Sequence, residues 1–94
     1  MYYILDGHKI VSCDDVLEWG KWFEEAERHV ADDTKNNVRV STVFLGLDHS
    51  FGQGPPLLFE TMVFGGEHDG DTDRYSTWEE AEQGHKRMCD IVSV

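Results

Sequence analysis

Cations are scarce in this chain: its 94 residues carry 8 Lys+Arg against 19 Asp+Glu, a formal charge of −11 at neutral pH. A surface that negative repels phosphate backbones and anionic lipid headgroups, which disfavours direct nucleic-acid binding and attachment to membranes. It favours basic protein surfaces, cations, or plain solubility. Cysteine is scarce as well. Cys13 and Cys89 are the full complement, far apart and without the CxxC spacing of a zinc or redox site, so two free thiols are expected rather than a bridge. No apolar run approaches the ~20 residues that span a bilayer. The opening Met1-Tyr2-Tyr3-Ile4-Leu5-Asp6-Gly7 lacks the basic region and apolar stretch of a secretory signal, so a cytoplasmic location is expected.

What is present suits one compact core. Hydrophobic residues make up 39% of the chain, including 3 Trp, 3 Tyr and 5 Phe, too many for wholesale disorder despite the charge. At this length the chain is expected to form a single α+β domain over residues 1–94.

The opening predicts a hairpin, with β-prone runs Tyr2–Leu5 and His8–Val11 around an Asp6-Gly7 type I′ turn. Ser12 is the predicted N-cap of a first helix, with Asp15 in capping-box position and Asp14, Asp15 and Glu18 favourably near the positive end of the dipole. Val16, Trp19, Phe23, Ala26 and Val30 keep the spacing of one helical face, which predicts a helix ending near Val30 and then a polar loop to Asn37. Val38–Leu47 and Leu57–Phe64 read as buried strands. They are joined by a Gly/Pro-rich connection, and an acidic loop Glu67–Asp73 follows. Two overlapping capping boxes, Ser76 with Glu79 and Thr77 with Glu80, open a second helix whose stripe is Trp78, Ala81, His85, Met88 and Val92. Gly20 and Gly84 interrupt the helices, which a close approach of helix to helix or helix to sheet would explain, or which the helices simply tolerate. The predicted order is ββαββα: a four-stranded, mostly antiparallel sheet with both helices packed on one face.

Four constellations bear on chemistry. Asp69, Asp71 and Asp73 hold positions 1, 3 and 5 of a calcium loop and Glu80 holds position 12, so calcium is the cofactor this loop would take. Against that, Arg74 stands where the sharp turn wants glycine, and the incoming element is a strand. Asp48 beside His49, with Glu60 on the next strand, suggests an acid–base site, although no nucleophile motif accompanies them. His85, inside an apolar stripe, reads as a buried, hydrogen-bonded core histidine. Phe51, in the connection, is either an exposed anchor for a partner or folded back on the core.

The blocks Ser41-Thr42-Val43-Phe44-Leu45-Gly46-Leu47-Asp48-His49 and Gly54-Pro55-Pro56-Leu57-Leu58-Phe59-Glu60-Thr61-Met62-Val63-Phe64-Gly65-Gly66 carry a resemblance, as do Arg74–Ala81 and Gly84-His85. The chain resembles a family of small uncharacterised proteins encoded by tailed bacteriophages and prophages. The resemblance implies a bacterial host cell and brings no catalytic residues. Small acidic phage domains include anti-defence inhibitors, some of the anti-CRISPR kind, that imitate DNA by presenting carboxylates in rows. Here the rows would be Glu18, Glu24, Glu25 and Glu27 on the first helix and the acidic stretch Asp69–Glu82, with Asp71 and Asp73. The expected function is therefore binding to a basic host protein surface, steered by charge and docked near Phe51. A homodimer is the further expectation if the apolar strand Leu57–Phe64 lies at a sheet edge.

Overall fold

In the computed structural model, residues 1–48 and 54–94 are described, so His49 and Phe51 lie outside the described residues. β1 (Tyr2–Asp6) and β2 (Lys9–Cys13) form the antiparallel hairpin that the opening runs demand. The ladder runs one residue further than expected. Asp6 pairs with Lys9, so the two-residue turn is Gly7-His8 and not Asp6-Gly7. Only Gly7 has positive φ there, at 64°, which suits type II′ rather than type I′.

α1 (Val16–Glu25) starts one turn later than a Ser12 cap would place it. Ser12 is taken up by β2, and Asp15 caps instead, its Oδ1 accepting from Leu17 N at 2.9 Å and Glu18 N at 3.3 Å. The helix stops at Glu25 although the apolar spacing continues to Val30. Val30 serves the core from a strand instead: β3 (His29–Lys35) occupies most of the expected polar loop. Asn36 and Asn37, with φ of 53° and 66°, turn β3 into β4 (Val38–Phe44) as a type I′ hairpin.

β5 (Phe59–Phe64) and β6 (Thr72–Tyr75) complete a four-stranded sheet of order β3-β4-β5-β6, antiparallel throughout. The fold is α+β, with element order ββαββββα and two separate sheets. β5 lies between β4 and β6, so the apolar strand expected to offer a pairing edge has none to offer. The two helices also do not share one face. α2 (Trp78–Val92) crosses all four strands, whereas α1 packs on the β1–β2 hairpin.

Strand alternation explains the core. Val40, Thr42 and Phe44 of β4 stand opposite Val63, Thr61 and Phe59 of β5, and all six are fully buried beneath α2. Burying each large apolar side chain contributes about 1.5–3 kcal/mol. Trp22 meets Phe44 edge-on at 5.8 Å, Phe44 meets Phe59 at 5.3 Å, and Phe59 meets Trp78 edge-on at 6.2 Å, so one run of rings ties α1 to both central strands and α2. The opposite face of the sheet is laced by ion pairs, Arg39 with Asp32 at 2.6 Å and Arg74 with Glu60 at 2.9 Å. No helix among the described residues is long and apolar enough to cross a membrane.

Candidate functional site

The acidic residues singled out by sequence fall into two groups. α1 follows the hairpin at the end of the sheet where β4 finishes: Phe44 N donates to Arg28 O, and Tyr3 N donates to Gly46 O. The β5–β6 turn bearing Asp69 and Asp71 is at the other end, beside the β3–β4 turn. At a rise of roughly 3.3 Å per residue, the length of β4 separates them by about 20 Å. Glu18, Glu24 and Glu25 are exposed on α1. Leu17 stands among them, 82% exposed, one turn before Lys21 and two before Glu24. Glu27 is differently employed. Its Oε1 accepts from His29 N at 2.8 Å and lies 2.8 Å from His29 Nδ1. The backbone hydrogen bond, then the ring, hold its carboxyl below the usual carboxylate range.

A single cation of α1 stands against Glu18, Glu24 and Glu25 on its exposed face. Arg28 donates to Phe44 O at 3.1 Å and lies over the Phe23 ring, while Arg39 and Arg74 are committed to Asp32 and Glu60. Lys21 is the basic residue within the helix.

The calcium quartet is not brought together. Asp69 Oδ1 accepts from Gly65 N at 2.6 Å, Asp71 pairs with His68 at 3.0 Å, and Asp73 accepts from Arg74 N on β6. Glu80 closes the capping box of α2, accepting from Ser76 N and Thr77 N while Thr77 Oγ1 accepts from Glu80 N. Among the described residues, these four do not form a group whose ligand atoms lie within 4.8 Å of one another. Of the suggested acid–base group, His49 lies outside the described residues, Asp48 Oδ1 accepts from Leu57 N at 2.9 Å, and Glu60 accepts from Arg74 Nε at 2.9 Å. Cys13 is on β2 rather than in the first turn of α1, its Sγ directed at Asp15 O. Both cysteines are free.

His85 is the buried, hydrogen-bonded histidine that its stripe predicts, and it belongs to a polar row beneath α2. Tyr75 Oη donates to Thr61 Oγ1 at 3.2 Å, and the Thr61 and Thr42 hydroxyls are 2.6 Å apart. Thr42 Oγ1 is 2.7 Å from His85 Nδ1, and His85 Nε2 is 2.7 Å from Asp33 Oδ2. β6, β5, β4, α2 and β3 thus supply one member each. A carboxylate only accepts, so the hydrogen bonds are satisfied in one sense: Tyr75 to Thr61, Thr61 to Thr42, Thr42 to Nδ1, and Nε2–H to Asp33. This assignment follows from donor and acceptor capacity. Burial pushes the Tyr75 phenol up, opposed by its bond to Thr61. Hydroxyl, imidazole and carboxylate here have the connectivity of a hydrolase triad, but Thr42 is 0% exposed and no substrate reaches it.

One further side chain joins this row, and sequence reasoning missed it. Cys89 Sγ lies 3.9 Å from Asp33 Oδ2. Burial, then the Asp33 and Asp90 carboxylates, push its thiol up. The visible signal was the spacing His85-x-x-x-Cys89, one turn of one helix. Nothing in the sequence marked Asp33, whose strand was read as loop. Comparison with protein-family models, curated proteins and solved structures finds no match to this chain.

Proposed function

We propose that this chain is a protein-binding module that docks on a basic partner surface through α1, as a small phage-type inhibitor of host defence would. The observation that carries the reading is the exposed face of α1: Glu18 adjoins the exposed Leu17, Glu24 and Glu25 follow two turns on with Lys21 between, and Arg28, Arg39 and Arg74 are engaged elsewhere. An exposed apolar side chain beside carboxylates offers a partner both a surface to cover and a charge to meet. The carboxylates steer a cationic surface inward, and covering Leu17 contributes about 1.5–3 kcal/mol. A protein that ordinarily holds nucleic acid has such a cationic groove, and the resemblance to small phage proteins agrees with that class of partner. Because Asp69 and Asp71 sit at the other end of the sheet, α1 acts without them.

The test is capture from bacterial lysate with three immobilised chains: wild type, Glu24→Lys/Glu25→Lys and Asp69→Asn/Asp71→Asn. Wild type should retain basic proteins that elute as salt rises. The α1 variant should lose them and the turn variant should keep them. Equal retention by all three chains, or retention indifferent to salt, overturns the reading.

A further inference from the structure

His85 and Cys89 stand one turn apart on α2, on the side that faces β3, and Asp33 projects from β3 toward both. Their donor atoms, an imidazole nitrogen, a thiol sulfur and a carboxylate oxygen, all lie within 4.8 Å of one another. From this geometry we propose that Asp33, His85 and Cys89 form a site for a single zinc-class divalent cation. It is independent of the α1 docking face.

The donor set chooses the ion. Nitrogen and thiolate ligands with one carboxylate suit zinc, and disfavour calcium or magnesium, which take oxygen. The surroundings prepare the ligands. His85 is 3% exposed and its Nδ1 is held by Thr42 Oγ1 at 2.7 Å, leaving Nε2 directed at the site. A ligating imidazole held through its other nitrogen by a fixed partner is the usual arrangement around zinc. Asp33 is 58% exposed on an edge strand, so the ion enters from that side and keeps an outer position for water.

Distances are close to those needed. Zinc–ligand bonds of about 2.0–2.3 Å at tetrahedral angles separate neighbouring donors by about 3.4–3.7 Å. Cys89 Sγ and Asp33 Oδ2 are already 3.9 Å apart, and His85 Nε2 and Asp33 Oδ2 are 2.7 Å apart. The exposed Asp33 carboxylate opens the second distance by roughly 0.7 Å through its own rotation. On coordination the Cys89 thiol gives its proton to solvent. The imidazole keeps one proton, now on Nδ1 and donated to Thr42 Oγ1, and the row reverses, so that Thr42 donates to Thr61 and Thr61 to Tyr75 Oη.

The experiment is a cobalt(II) titration of the reduced, full chain, with zinc(II) as competitor. The expected result is one cobalt per chain, with visible bands of tetrahedral intensity and a thiolate-to-cobalt charge-transfer band, all abolished by zinc. Cys89→Ser should remove the charge-transfer band and weaken binding at least tenfold. Asp33→Asn should weaken it by a similar factor, and Cys13→Ser should change neither. Both Asp33 and Cys89 lie at the margin of the core, so these variants remain folded, which circular dichroism checks. Absence of the bands at millimolar cobalt overturns the site. So does their persistence in Cys89→Ser, or their loss in Cys13→Ser.

Discussion

The two glycines inside helices should respond to the same substitution with opposite signs. A Cβ on Gly84 would overlap Cζ, Oη and Cε1 of Tyr75, whereas one on Gly20 meets nothing within 4 Å. Alanine at either position gains about 1 kcal/mol of helix propensity. At Gly20 that gain stands alone. At Gly84 it is opposed by a ring that cannot step aside, since Tyr75 is 6% exposed and its hydroxyl is bonded to Thr61. Forced overpacking costs about 3 kcal/mol at the upper end of its usual range, and the lost hydrogen bond adds about 1 kcal/mol. Gly84→Ala should therefore lose about 3 kcal/mol net. Gly20→Ala should gain between about 0.5 and 1 kcal/mol. For a domain of this size each kcal/mol moves Tm by roughly 4–8 °C, so the two variants should melt on opposite sides of wild type. Urea denaturation followed by tryptophan fluorescence, with thermal melts alongside, measures both. If Gly84→Ala lies within about 0.5 kcal/mol of wild type, or Gly20→Ala falls as far as Gly84→Ala, the proposed close approach of α2 to β6 is wrong.

The Arg39 hydrogen bond, more than any other cause, holds the Asp32 carboxyl below its ordinary range. A carboxyl depressed in the folded chain contributes stability that is complete above about pH 4 and lost as pH falls through the folded value. Wild type should thus exceed Asp32→Asn in urea resistance near neutrality, with the gap closing in acid and shrinking in high salt; a gap that survives strong acid refutes the pairing. In the buried row, Thr61→Val keeps the shape of the side chain and strands the Tyr75 hydroxyl, and it should cost about 1–3 kcal/mol. A double-mutant cycle of Thr61→Val with Thr42→Val should show coupling of at least about 0.5 kcal/mol, and strict additivity would mean the two hydroxyls do not interact.

What was legible in the chain was whatever announces itself locally. The opening hairpin, the two central strands and α2 with its Thr77–Glu80 box all have the spacing or capping that short-range chemistry imposes. The two edge strands did not. β3 reads His-Val-Ala-Asp-Asp-Thr-Lys and β6 reads Thr-Asp-Arg-Tyr, and each pairs on one side only. An edge strand needs few apolar residues, and charged ones protect it from pairing with other chains. The same acidity that marks a good edge therefore reads as a loop. α1 was misjudged for the opposite reason: Ala26 and Val30 keep helical spacing by coincidence, and tertiary burial of Val30 from β3 overrides it.

His85 could be recognised as a core histidine, but not its partners, because Asp33, Thr42, Thr61 and Tyr75 come from four strands with no local motif among them. Their placement has a consequence for how the fold is specified. Thr42 and Thr61 face each other across β4 and β5 on the covered side, in a layer otherwise apolar. Slipping β5 by two residues would keep the same set of side chains beneath α2 but set Val63 or Phe59 opposite Thr42. Thr42 and Thr61 would then be buried without each other, at a cost of about 1–3 kcal/mol for each unmet group. An all-apolar layer of Val and Phe would tolerate such a shift more easily, since burial has no direction. The polar row thus acts as a register lock, and Gly84 belongs to it, because only a residue without a side chain lets Tyr75 reach Thr61.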